Sequence, residues 1–69
     1  MRQYYYIAEF VRPKTGTSIT KLYLDNNLER LIYSAKEFWK SLGADSWCAD
    51  LRPVDRQTFE NILMQEAPL

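Results

Sequence analysis

Residues 3–12 and 18–24 are dominated by Tyr, Ile, Val, Phe, Leu and Thr, the composition and length of two β-strands. The first contains "YYYIAEF", residues 4–10. Neighbouring strand side chains point to opposite faces, so Tyr4 and Tyr6 share a surface that excludes Tyr5. One face of this strand is therefore core, and the other needs a cover or a partner. Between the strands lies "PKTGT". A three-residue hairpin loop, Lys14-Thr15-Gly16, puts glycine where a left-handed residue is required. That loop sets Pro13 opposite Thr17, Val11 opposite Ile19, Glu9 opposite Lys21 and Ile7 opposite Tyr23. Glu9 and Lys21 become a cross-strand ion pair worth ~0.2–1 kcal/mol. The opposite face then gathers Tyr6, Ala8, Phe10, Thr20, Leu22 and Leu24. A slip of one residue would set Glu9 among the leucines, which argues against it.

The rhythm then changes. Over residues 27–42, Leu28, Leu31, Ile32, Ala35, Phe38, Trp39 and Leu42 recur at the spacing of one helical face. Asn26 with Glu29 three residues later is a variant capping box. Gly43 stands where a helix-ending glycine belongs, and Lys36 and Lys40 suit the negative end of the dipole. This helix should lie across the Phe10, Leu22 and Leu24 face. "DSWCADLRP" alternates Trp47, Ala49 and Leu51 with Ser46, Cys48 and Asp50, a third half-buried strand stopped by Pro53. Asp55 caps a second helix, with Val54 placed to staple onto Phe59. Phe59, Ile62 and Leu63 form its apolar stripe, and Pro68 closes it. The order is β-β-α-β-α, a single α+β domain over residues 1–69 with a small, mainly antiparallel sheet and two helices packed on it. A right-handed crossover through the first helix brings strand 3 beside strand 1 and antiparallel to it, in the order 2-1-3.

Composition narrows the function. With 69 residues the chain is near the lower limit for folding without a staple, and 46% apolar residues exclude disorder. No apolar run approaches a membrane span, and "MRQYYYIAEF" lacks the features of a signal peptide. One cysteine, Cys48, precludes an internal disulfide and suits a reducing cytoplasm. Histidine is absent, which removes the commonest acid–base group and metal ligand. Net charge is zero but bipolar. Arg2, Arg12, Lys14 and Lys21 against Glu9 make the first third basic. Asp45, Asp50, Asp55, Glu60 and Glu66 against Arg52 and Arg56 make the last third acidic.

No catalytic set emerges. "SITK" and "KTG" match the S-x-x-K and K-T-G triplets of serine β-lactamases and penicillin-binding enzymes. That chemistry needs Ser and Lys one helical turn apart. Here Ser18 and Lys21 lie on a strand facing opposite ways, and the triplet is the turn itself. Cys48 has no histidine to activate it and reads as a small strand residue. Asp45, Asp50 and Asp55 are spaced too widely for a calcium loop, and Asp55 already serves as a cap. Neither metal, cofactor nor enzymatic activity is expected.

The odd-numbered hairpin face is more informative. Tyr5, Ile7, Val11, Ile19 and Tyr23 stand together there, where a solvated sheet shows Thr, Lys and Glu. Three readings compete. The second helix covers the face; a homodimer forms through it or through the strand-2 edge; or it recognises another macromolecule. Tyrosine, tolerant of half-wet positions, suits an interface. The expectation is a small, non-enzymatic, cytoplasmic protein-binding module, a regulator, inhibitor or accessory subunit of a larger complex. Phages and other mobile elements encode many proteins of this size and kind. The contact residues expected are Tyr5, Ile7, Val11, Ile19 and Tyr23, with Arg12 and Lys14 as a charged rim. The alternative is single-stranded nucleic acid stacked on the same aromatic and basic hairpin.

Overall fold

The computed structural model describes residues 2–66. Its elements are β1 (Tyr4–Arg12), β2 (Thr17–Asp25), α1 (Leu28–Ser41), β3 (Trp47–Pro53) and α2 (Arg56–Glu66). They form a small α+β fold around an antiparallel sheet of order β2-β1-β3. The expected closing role of Pro68 lies outside the described residues.

The hairpin closes one residue earlier than the three-residue loop requires. Arg12 pairs with Thr17, leaving a four-residue turn, 13–16, held by Thr15 N–H to Arg12 O (3.2 Å) and Gly16 N–H to Pro13 O (3.3 Å). Proline explains the shift. Pro13 has no N–H to give to a closing pair, but its fixed φ suits the second position of a turn that starts at Arg12. Gly16 takes the expected left-handed conformation, φ +66°.

One residue of slip re-sorts the faces. Glu9 faces Thr20 rather than Lys21, and Lys21 faces Ala8. Tyr6, Ala8 and Phe10 therefore share a face with Ile19, Lys21 and Tyr23, while Leu22 and Leu24 turn to the other side with Tyr5 and Ile7. Ala8, Phe10 and Ala35 of α1 form the sealed centre of the core, flanked by Tyr23, Phe38, Leu42, Cys48 and Leu51. Phe10 meets Phe38 edge to face, centroids 5.2 Å apart, an arrangement the ring quadrupoles favour. The slip also brings Lys21 onto the helix-covered face. Its ammonium lies 3.8 Å from the Phe38 centroid, so the charge is held by a ring while the stem covers apolar surface.

The third strand departs from simple alternation. A bulge opposite Glu9 and Phe10 pairs Glu9 with Asp50 but Phe10 with Cys48, leaving Ala49 as the extra residue. Cys48 and Leu51 thereby reach the core, and Trp47 turns to the opposite face. On that opposite face α2 anchors through Phe59, which is buried and meets Tyr5 at 5.3 Å between centroids. Val54 N–H also donates to Tyr5 O at 2.9 Å. Ile7 is sealed here, whereas Leu63 of the expected apolar stripe is half exposed.

Capping follows charge and geometry. Asn27, rather than Asn26, caps α1, its side chain accepting from Arg30 N–H at 3.0 Å. Asp25 accepts from Asn27 N–H (3.0 Å) and takes Arg30 bidentately at 2.6 and 2.9 Å. Gly43 ends α1 at φ +110°, and Asp55 caps α2 by accepting from Thr58 N–H at 2.7 Å.

Two outcomes follow from this packing. Phe10→Ala should cost ~3–5 kcal/mol, enough to unfold most of so small a domain in a urea titration. The Arg30 bonds hold the Asp25 carboxyl down to about 2, so its contribution is full above the ordinary carboxylate range and fades as pH falls through that value. Asp25→Asn should therefore melt below wild type at neutral pH, with the two curves converging near pH 2.

Candidate functional site

The new register divides the expected contact surface. Tyr5, Ile7 and Val11 lie on the α2 side of the sheet, and Ile19 and Tyr23 on the α1 side. Ile7 is sealed and Tyr5 is half-buried against Phe59. Tyr23 packs on the core, its hydroxyl buried with no hydrogen-bond partner among the described residues. Burial pushes the Tyr23 phenol up, with Cys48 adding to the shift. Val11 and Ile19 are half-buried. Of the charged rim, Lys14 is exposed at the hairpin tip, but Arg12 is half-buried with its Nε unpaired. No continuous apolar patch is formed by these residues.

The exposed aromatics lie elsewhere. Tyr33 and Trp47 are 63% and 58% exposed, and Trp39, placed by its spacing on the buried face of α1, remains 38% exposed. Trp39 is nonetheless fixed. Its indole N–H donates to Ser46 O at 2.8 Å, and the buried Ser46 hydroxyl donates to Gly43 O at 2.7 Å. These bonds lock the end of α1 to the start of β3. They leave one wall of indole beside an open hollow of about 480 Å³, lined also by Lys36, Lys40, Gly43, Ala44 and Ser46. A smaller hollow of about 120 Å³ shares Lys36 and Trp39 and has Phe10, Cys48 and Leu51 among its lining. Lys40 pairs with Glu37 at 3.4 Å, whereas Lys36 has no ion-pair partner among the described residues.

The hollow is lined by the indole of Trp39 and the side chains of Lys36, Lys40 and Ser46, with no carboxylate among its lining residues. Cys48 half-buried in the core donates its thiol to Asp50 O at 3.4 Å. Among the described residues no group of three His, Cys, Asp or Glu side chains could hold a metal ion, and no helix is long and apolar enough to cross a membrane. No family model, curated relative or solved structure matches the chain.

The face that Trp47 takes depends on the Ala49 bulge, which leaves no mark in residue periodicity. Tyr23→Phe tests the new placement. Removing a buried, unpartnered hydroxyl should leave stability unchanged or raise it by up to ~1–2 kcal/mol, read by chemical denaturation.

Proposed function

We propose that this protein is a non-enzymatic binding module that docks on a protein partner as a regulator, inhibitor or accessory subunit, using the α1–β3 hollow instead of the hairpin face. The observation that carries the reading is the rigidly held, partly exposed Trp39 beside the unpaired Lys36. A pre-fixed aromatic gives contact area at little entropic cost, and tryptophan is among the residues that dominate protein interfaces. Exposed large apolar groups also cost solubility, which folding alone does not require. The lack of histidine throughout the chain supports a role without acid–base chemistry.

Nucleic-acid binding through the hairpin has less support. Tyr6 and Tyr23 are half-buried on the α1 side, and Lys21 is drawn onto Phe38 rather than presented with them. Stacking platforms need rings that a base can reach.

Tagged wild-type protein and a Lys36→Glu variant, whose exposed position leaves the fold intact, separate these readings. The module reading expects one protein retained from the native host by wild type at elevated salt, and lost at least about tenfold from the variant. Retention on heparin or oligonucleotides that collapses steeply with salt would instead place the function with nucleic acid.

A further inference from the structure

The two free edges of the sheet are built differently. β3 is seven residues long, is interrupted by the bulge at Ala49, carries Asp50 and Arg52, and ends in Pro53. Shortness, bulges, charge and proline are the devices that keep an edge from pairing with another chain. β2 is neither short nor bulged and lacks proline; its charges are Lys21 and Asp25. Its nine residues, Thr17–Asp25, pair with β1 without interruption and include neither proline nor glycine. Its one lysine would ordinarily guard such an edge, yet the Lys21 ammonium is drawn inward over Phe38 at 3.8 Å. Alternate N–H and C=O groups of an outer strand point away from the sheet. Leu24, near the end of this edge, is 53% exposed.

We propose that β2 pairs antiparallel with β2 of a second copy across a two-fold axis, joining the two three-stranded sheets into one. The sequence of the edge is complementary to itself under that symmetry. An axis at Lys21 would set two lysines directly opposite, which is unfavourable. An axis at Tyr23 sets Lys21 opposite the second copy's Asp25, and Leu22 opposite the second copy's Leu24, each pair occurring twice. The leucine pairs fall on the α2 side of the sheet, so the exposed Leu24 side chains are covered by dimerisation. A second copy also suits a chain whose sealed apolar core, among the described residues, is Ile7, Ala8, Phe10, Leu31, Ala35 and Phe59. So small a core gains from oligomerisation. This surface is separate from the α1–β3 hollow, so dimerisation stands or falls independently of partner binding there.

Sedimentation equilibrium of the full chain tests it. Wild type should reach twice the 8.2 kDa chain mass at micromolar concentration. Leu24→Lys, an exposed edge position, should weaken self-association at least about tenfold with an unchanged circular-dichroism spectrum. In a Cys48→Ser background, mixed chains carrying Leu22→Cys and Leu24→Cys should form a disulfide with each other in preference to either with itself. The cross-link decides the matter even if Leu24→Lys unfolds the chain. Wild type that stays at 8.2 kDa throughout, a dimer indifferent to Leu24→Lys, or cross-linking without preference would overturn the proposal.

Discussion

A missing hydrogen governs this structure. Pro13 has no N–H, so the hairpin closes at Arg12 and Thr17, and that single choice fixes which side chains share a face. With the pairing one residue further along, the α1 side would have received Leu22 and Leu24 and become almost wholly apolar. Instead it receives Ile19, Lys21 and Tyr23. The core tolerates a lysine because Phe38 offers its π-face, and it tolerates a tyrosine whose hydroxyl has no partner. Both are compromises that an apolar face would not have needed. The leucines displaced to the other side leave Leu24 partly uncovered.

The second layer is thinner than the first. On the α1 side, Ala8 and Phe10 are sealed against Ala35, with five flanking side chains. On the α2 side the sealed apolar residues are Ile7 and Phe59, joined through the Tyr5 ring. Burial of a large side chain is worth ~1.5–3 kcal/mol, so α2 rests on a few anchors together with its Asp55 cap and the Val54 bond to Tyr5. Tyrosines on both sides of β1 thus have a structural answer. Tyr5 is the platform for one helix, and Tyr6 lies on the side covered by the other.

What could be read from the residues and what could not separate along physical lines. Element order and the positive-φ glycines Gly16 and Gly43 follow from local chemistry, because periodicity and turn preference act within a few residues, and strand order follows from the handedness of the crossover through α1. Register does not. A three-residue loop, Lys14-Thr15-Gly16, fits the turn chemistry and rewards its register with a Glu9–Lys21 pair, but an exposed ion pair contributes less than the unmade bond of a proline in a closing position. The bulge at Ala49 is likewise invisible to period-two counting, and it reversed the expected placement of Trp47 and Cys48. The α1 cap moved from Asn26 to Asn27 because Asp25 can then hold both Asn27 N–H and Arg30. The candidate surface rests on parity across two strands, so the shifted register keeps Tyr5, Ile7 and Val11 on one face and puts Ile19 and Tyr23 on the other.

The unequal edges bear on how such a fold stays specific. A sheet of three strands always exposes two edges, and each must be blunted, covered or used. Blunting β3 has a visible cost, since a bulge sacrifices a ladder position, and beside it Glu9 stands directly opposite Asp50. Like charges across a strand pair are unfavourable, and Arg52, 3.5 Å from Asp50, offsets them only partly because all three side chains are exposed. A fold that bears this cost at one edge while leaving the other long, regular and rich in β-branched residues treats the two edges as different surfaces. The guarded edge lies on the side of Trp39 and the hollow, whose Trp39 is tied to Ser46 at the start of β3. The unguarded edge is remote from that site within the sheet, so pairing there leaves the hollow open.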